Sequence, residues 1–302
     1  MSLQFLADGV FAGALIGLGA VGLTLTYSIL RFSNFTHGDF ISWGAYLALG
    51  MVAALTAWLG PAARLVPFSF GWTLIVGGLL AMALTGLLAL ALDAVLFKPL
   101  RRTGHGIVMV IASFGASLAL RASLEFLFTS EPAYFSRAIQ IAIPLGLGIR
   151  VTPDQMAMMG LAVVVVVAMH LLLTRTHIGR SMRAVSENPA LARVVGIDVA
   201  AVIRATWLIG GALACVSGIM LGLTVQIRPQ MGFDLLLPLF AAAILGGIGS
   251  VSGAIVGGLI VGIAEAAAVQ LVGAEYRSAV AFLLLIAMLL VRPRGLFGVR
   301  EG

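Results

Sequence analysis

The sequence predicts an all-α polytopic membrane protein, and three observations carry that prediction. Of the 302 residues, 61% are hydrophobic and only 10% are charged, whereas soluble domains are nearer half apolar and a quarter charged. Mean hydropathy is +1.12. Several apolar runs approach or exceed the roughly 20 residues that a bilayer-crossing helix needs, and the arginines gather in short segments between those runs. Together these features make residues 1–302 a single transmembrane domain with about eight or nine transmembrane or half-membrane helices, some of them discontinuous, and a short cytoplasmic helix.

Net charge is +6. Its placement in short loops between apolar runs is that of orientation signals and not of a nucleic-acid surface. The lone cysteine, Cys215, excludes an intrachain disulfide and a cysteine-based zinc site. The opening MSLQFLADGV has no Lys or Arg and carries Asp8, so it does not read as a cleavable signal peptide.

Residues 7–30 form the first apolar segment, with Gly13, Gly17, Gly19 and Gly22 spaced for close helix contact. The last three match G-x-G-x-x-G, but a dinucleotide site needs that pattern after a strand in a soluble βαβ unit. The polar stretch RFSNFTHGDF, residues 31–40, follows, and its brevity implies a tight turn or a discontinuous helix before the apolar residues 41–59. Residues 72–97 form a long segment closed by Lys98, Arg101 and Arg102, and residues 107–128 form the next. Residues 129–154, with Pro132, Pro144 and Pro153, read as an extracytoplasmic loop; residues 156–173 return to a basic island at 175–200.

Residues 203–225 span outward to the polar QIRPQMGFD, 226–234. Residues 235–247 are too few for a comfortable crossing and read as a half-helix, joined by GGIGSVSG, 246–253, to the segment 251–271. Residues 279–291 end the apolar sequence at Arg292, Arg294 and Arg300. Parity and the positive-inside bias put 98–106, 174–200 and 292–302 in the cytoplasm, and 129–154 and the N-terminus outside. Gly22-Leu-Thr-Leu before the first break resembles Gly222-Leu-Thr-Val before the second. Paired discontinuous helices in corresponding halves point to a transport site near the midplane.

Enzyme signatures are incomplete. The only lysine is Lys98, in FKPL, so no Walker A loop exists, and ATP chemistry belongs to other subunits. Residues 249–253, GSVSG, place Val251 where G-x-S-x-G needs serine. His37, His105, His170 and His177 lack the H-E-x-x-H spacing of a zinc protease. Intramembrane carboxylates for an ion-coupled transporter are few: Asp93, Glu125 and Glu265. The sequon Asn34-Phe35-Thr36 lies between membrane segments, away from glycosylation. Asn34, His37 and Asp39 either line a pathway, the default for polar groups at membrane depth, or cap helix ends at the interface.

In the basic island, Asn188 followed by Pro189 writes a helix start, and Gly196 a helix stop. The short helix between them suits docking of a soluble partner, and equally an ordinary basic loop.

The stretch GLTLTYSILRFSNFTHGDFISWGAY, 22–46, resembles the signature of the branched-chain amino acid ABC transporter permeases, LivH-type subunit, departing at Thr36, where the family usually has alanine. GRSMRAVSENPALARVVGIDV, 179–199, is similar to the family's cytoplasmic coupling loop, and ILGGIGSVSGAIVGGLIVGIAE, 244–265, to its glycine-rich motif. The resemblance covers essentially the whole chain. It implies a permease subunit of an ATP-driven importer in the bacterial inner membrane, embedded in lipid and not itself an enzyme. Its partners would be a LivM-type permease, two ATPase subunits that bind ATP and Mg, and a soluble substrate-binding protein; no cofactor would reside on this chain. Substrates of similar relatives are branched-chain amino acids, other amino acids, urea or short amides. On the pathway reading of the polar break, Asn34, His37 and Asp39 line the translocation cavity, and Gly246, Gly247, Gly249 and Gly253 are expected as turn and packing residues of the facing wall. ATPase coupling falls to Arg183, Glu187, Asn188, Pro189, Leu191, Arg193 and Gly196, with Leu191, Val194 and Val195 as the apolar contact face.

Overall fold

The computed structural model describes residues 3–60, 63–101, 104–136, 138, 140–146, 148–292 and 294–298; Arg102 and Arg300, expected as cytoplasmic anchors, lie outside the described residues. The first helices are α1 (Gln4–Leu30), α2 (Thr36–Leu59) and α3 (Trp72–Leu92), the last continued through a π-type turn (Asp93–Phe97) into α4 (Lys98–Leu100). Next come α5 (Gly106–Phe128), strands β1 (Ile143–Gly146) and β2 (Ile149–Val151), α6 (Pro153–Arg175), α7 (His177–Glu187) and α8 (Pro189–Val194). The chain finishes with α9 (Val199–Thr224), α10 (Met231–Asp234), α11 (Leu236–Gly246), α12 (Val251–Leu271) and α13 (Arg277–Val291). Among the described residues eight helices are long and apolar enough to cross a membrane, and Met231–Gly246 is a shorter apolar piece. The protein is thus an all-α polytopic membrane protein, with one departure: the loop before α6 carries a small antiparallel hairpin, pairing Ile143 with Val151. Its outer backbone is met by the Gln4 side chain, which accepts from the Arg150 N–H at 2.7 Å and donates to the Arg150 carbonyl at 3.0 Å.

Hydrogen bonds sort the helix ends onto two faces. Gln4 reaches Arg150, the Ser69 N–H donates to Asp154 at 2.9 Å, and Ala133 bridges to Ile227. On the opposite face Arg31 donates to the Ser186 carbonyl, Gly249 donates to Thr24 Oγ1 at 3.1 Å, and the Phe297 N–H donates to the Gly246 carbonyl at 3.0 Å. This second face collects Lys98, Arg101, Arg175, Arg180, Arg183 and Arg193, whereas the first mixes Arg64, Arg150 and Arg228 with Glu131, Asp154 and Asp234. The positive-inside bias makes the second face cytoplasmic.

Helix α1 is the hub, 78% buried over its most apolar window. A Cβ on Gly9 would meet the Ile263 backbone at 2.7 Å, and one on Gly13 the Leu259 backbone at 2.7 Å. Lipid tails are as apolar as side chains, so helix association in a membrane depends on such close backbone approach and not on water exclusion. Toward the cytoplasm an aromatic cluster pins the end of α1: Phe32 lies 5.3 Å from Phe97, which stacks on Trp207 at 5.1 Å.

Cys215 is fully buried against Gly44, so the chain needs no background substitution for cysteine mapping. Glu131→Cys and Glu187→Cys, both at exposed positions, will label oppositely with an impermeant maleimide on intact cells. Only Glu131→Cys should react before permeabilisation; equal labelling would sink the two-face assignment.

Candidate functional site

The geometry is built around the break between α1 and α2. Arg31 ends α1 in a left-handed conformation, φ 58°. Residues 32–35 then turn the chain back into the protein, and α2 starts at depth: His37 Nε2 lies 2.9 Å from the Gly19 carbonyl oxygen. Gly19 is eleven residues before Leu30, or about 16 Å along a helix rising 1.5 Å per residue. The start of α2 is therefore inside the bundle and not at the membrane interface. Asn34, His37 and Asp39 are each at most 1% exposed.

A dry interior demands partners for the first N–H groups of a helix. Asn34 Oδ1 accepts from the Thr36 N–H at 3.2 Å and from the Thr36 hydroxyl at 2.6 Å, while the Phe35 N–H donates to Ser113 Oγ at 3.2 Å. Asp39 accepts from the Ser117 hydroxyl and pairs with Arg121 Nε at 3.4 Å. The Arg121 guanidinium lies 4.0 Å from the centroid of the Phe233 ring, a cation–π contact that brings in α10.

The second discontinuous element, α10 and α11, meets the first at their opening turns. A Cβ on Gly38 would lie 2.6 Å from the Gly232 carbonyl oxygen and 2.8 Å from Leu236 Cγ. The Gly232 N–H donates to Ser42 Oγ at 3.0 Å. Helix α1 runs inward and α9 runs outward, so Gly22-Leu-Thr-Leu and Gly222-Leu-Thr-Val precede their breaks near opposite faces. The restarted helices then cross at Gly38 and Gly232. This is the arrangement of an inverted repeat, with irregular backbone enclosed by protein.

Gly246, Gly247 and Gly249 do not join Asn34, His37 and Asp39 in one cavity; they form the cytoplasmic turn between α11 and α12. Gly247 and Gly249 have φ of 100° and 93°, a region unfavourable to any side chain. Both groups lean on α1, the first at Gly19 and Gly22, the second at Thr24.

The basic island folds into two helices. Thr176 caps α7 by accepting from the Gly179 N–H at 3.1 Å. Asn188 caps α8 by accepting from Ala190 and Leu191 at 3.0 Å each, with Pro189 in the first turn. Gly196, φ 85°, ends the unit as Ile197 N–H donates to the Ala192 carbonyl at 2.9 Å. Ala192 is buried, whereas Leu191, Val194 and Val195 are 60%, 83% and 68% exposed. Arg183 and Glu187 are exposed beside them, and Arg193 lines a cytoplasmic cavity of about 790 Å³ with Asp93, Arg101 and Asp198.

Sequence reasoning missed Ser113, Ser117, Arg121 and Arg31. Arg121 had a legible signal, a charge inside an apolar run that needs an intramembrane partner. The hydroxyls and the Arg31 contact to Ser186, far away in sequence, had none.

Two substitutions on one helix test the crossing. Gly38→Ala forces the first turns apart and should cost about 1–3 kcal/mol, as overpacking does. Gly50→Ala, also in α2 but with no atom within 4 Å of the added Cβ, should leave thermal unfolding of the purified protein unchanged or raise it. Equal destabilisation by both would remove the special status of Gly38.

The family model described as "Branched-chain amino acid transport system / permease component" matches residues 5–289. The chain is 31% identical to the high-affinity branched-chain amino acid transport system permease protein LivH of Escherichia coli, covering 99% of this chain and 96% of that one. It is likewise 31% identical to the permease protein BraD of Pseudomonas aeruginosa, with the same 99% and 96% coverage. In solved structures it resembles a chain of PsaBC from Streptococcus pneumoniae in complex with Fab, with TM-score 0.50, 15% identity and 98% and 96% of the two chains covered, a likeness of fold. A chain with eight helices of membrane-crossing length among its described residues and two helix restarts meeting in its interior, matched by this family model over nearly its whole length, belongs to the branched-chain amino acid transport permease family.

Proposed function

We propose that this chain is the membrane-spanning permease subunit of an ATP-driven importer of branched-chain or related amino acids in the bacterial inner membrane. The reading is supported by the names of its relatives, LivH and BraD, both permease proteins of high-affinity branched-chain amino acid transport systems. The single observation that carries it is the cytoplasmic helix α8 with its C-cap Val195, which together present three aliphatic side chains, Leu191, Val194 and Val195, to water. Such a patch is costly unless a partner covers it. Two ATPase subunits, binding ATP and Mg, are the partners that fit, since this chain has one lysine and no Walker A loop and cannot itself be a conventional ATPase. A LivM-type second permease and a soluble substrate-binding protein complete the importer.

The whole chain works as one permease domain, with 175–200 as the coupling loop. Leu191, Val194 and Val195 anchor the ATPase contact, Asn188, Pro189 and Gly196 shape the helix, and Arg183, Glu187 and Arg193 form its polar rim. Motion of this loop reaches the core through Arg31, bonded to the Ser186 carbonyl at the point where α1 ends. The following residues, 32–35, lead straight into the Gly38–Gly232 crossing. Separation of the two restarts exposes Asn34, His37 and Asp39 to the path, while Gly246, Gly247 and Gly249 hold the opposite turn.

Leu191→Asp puts a charge into the apolar part of this contact and should cut ATPase copurification and substrate-stimulated ATP hydrolysis at least tenfold, the loss of a small interface's anchor. Arg193→Ala, at the rim, should cost less than about threefold. Unchanged copurification and hydrolysis for Leu191→Asp would move the coupling site to the loop at 98–106.

A further inference from the structure

On the outer face, between the end of α9, the opening of α10–α11 and the junction of α12 with α13, lies a cavity of about 520 Å³. That is within the range of small-molecule sites. Its charged wall holds two guanidinium groups, Arg228 and Arg277, and two carboxylates, Asp234 and Glu265, while Val225 and Leu235 add apolar surface.

The carboxylate of Glu265 is the unusual group. Its residue is 1% exposed, and Oε2 accepts from Arg277 Nε at 2.7 Å, but Oε1 is buried without a hydrogen-bond partner among the described residues. A buried polar atom left unpaired is expensive and calls for an occupant. Arg277 is half-exposed and engages Glu265 through Nε alone among the described hydrogen bonds, which leaves its terminal amino groups for another acceptor. Arg228 and Asp234 are exposed, and neither enters an ion pair among the described residues.

We propose that this cavity is a substrate site on the permease itself, built for a zwitterionic amino acid with an aliphatic side chain. The ammonium group satisfies Glu265 Oε1 and Asp234, the carboxylate pairs with Arg228 and Arg277, and the side chain lies over Val225 and Leu235. A simple anion would meet the two carboxylates and a simple cation the two guanidinium groups, so both ends of the zwitterion are needed to balance the wall. The site deepens the import reading and rests on it. It stands at the mouth of α10–α11, where a substrate released on the outer face enters.

The test uses the assembled importer in lipid nanodiscs without its binding protein. Proteoliposome uptake with the binding protein present first selects, from the zwitterionic amino acids, the one carried fastest. If none is carried, the import reading fails and this inference with it. Equilibrium binding of that radiolabelled amino acid to the nanodiscs should be saturable. Its amide, a cation, and its deaminated acid, an anion, should compete at least tenfold more weakly. Glu265→Gln breaks a buried ion pair and tests folding as much as binding, so Arg228→Gln and Asp234→Asn, at exposed positions, carry the result. Each should weaken binding about tenfold while the complex elutes and melts as the parent does. Uptake with no saturable binding, equal competition by the amide or the acid, or unchanged affinity in both variants overturns the site and leaves the import reading intact.

Discussion

The contact between Gly38 and Gly232 is the constraint on which the rest of the structure depends. It is backbone against backbone, at the opening turns of two helices that begin inside the protein. Hydrocarbon supplies no water to the free N–H groups of such turns, each of which would cost several kcal/mol if orphaned (about 2–7 by transfer scales). The protein answers with side chains held at the same depth: Asn34 and Ser113 for the start of α2, Ser42 for the start of α10. Irregular backbone in the interior therefore forces polar residues into the interior, and both must be enclosed by neighbouring helices.

Ion pairs extend this enclosure toward each face. Asp39 with Arg121 joins α2 to α5 in the interior, Asp93 with Arg101 braces the cytoplasmic end of α3 at 2.6 Å, and Glu265 with Arg277 ties α12 to α13 near the outside at 2.7 Å. Ions taken from water without a partner are not tolerated at such depth, so each pair fixes the relation of the segments that carry it. The glycine-lined seam between α1 and α12 does the same by shape alone. Between these fixed parts, the cytoplasmic helices are seated on the core by Met182, Val185 and Ala192, each at most 3% exposed, and Arg31 adds a hydrogen bond to the Ser186 carbonyl with only residues 32–35 between it and α2.

The crossing and the coupling loop also explain why polar character is distributed as it is along the sequence. Within the apolar bundle, hydroxyls such as Thr26, Thr85 and Thr206 return their protons to carbonyls one turn back and need no outside partner. Residues that cannot do so, Asn34, His37 and Asp39, concentrate where helical bonding is interrupted. In α8 the logic reverses: a polar segment carries exposed aliphatic side chains, the pattern of a surface meant to be covered.

Composition, run length and the spacing of apolar segments by themselves determined the all-α polytopic membrane fold, because solvation of each segment is a local property. Caps were also local: Asn188-Pro189 and Gly196 set the bounds of α8 as read from the residues. The half-helix at 236–246 was legible from its length and its flanking glycines. Only the tertiary structure decided the depth at which α2 begins, since a ten-residue polar break is compatible with a turn at the interface or deep inside. It alone paired Asp39 with Arg121 and Arg31 with Ser186, 82 and 155 residues away. It also turned a four-residue likeness, Gly22-Leu-Thr-Leu with Gly222-Leu-Thr-Val, into two oppositely directed helices whose successors meet. Packing in a membrane selects partners by shape and charge at close range, and a sequence records the groups without recording which of them are brought face to face.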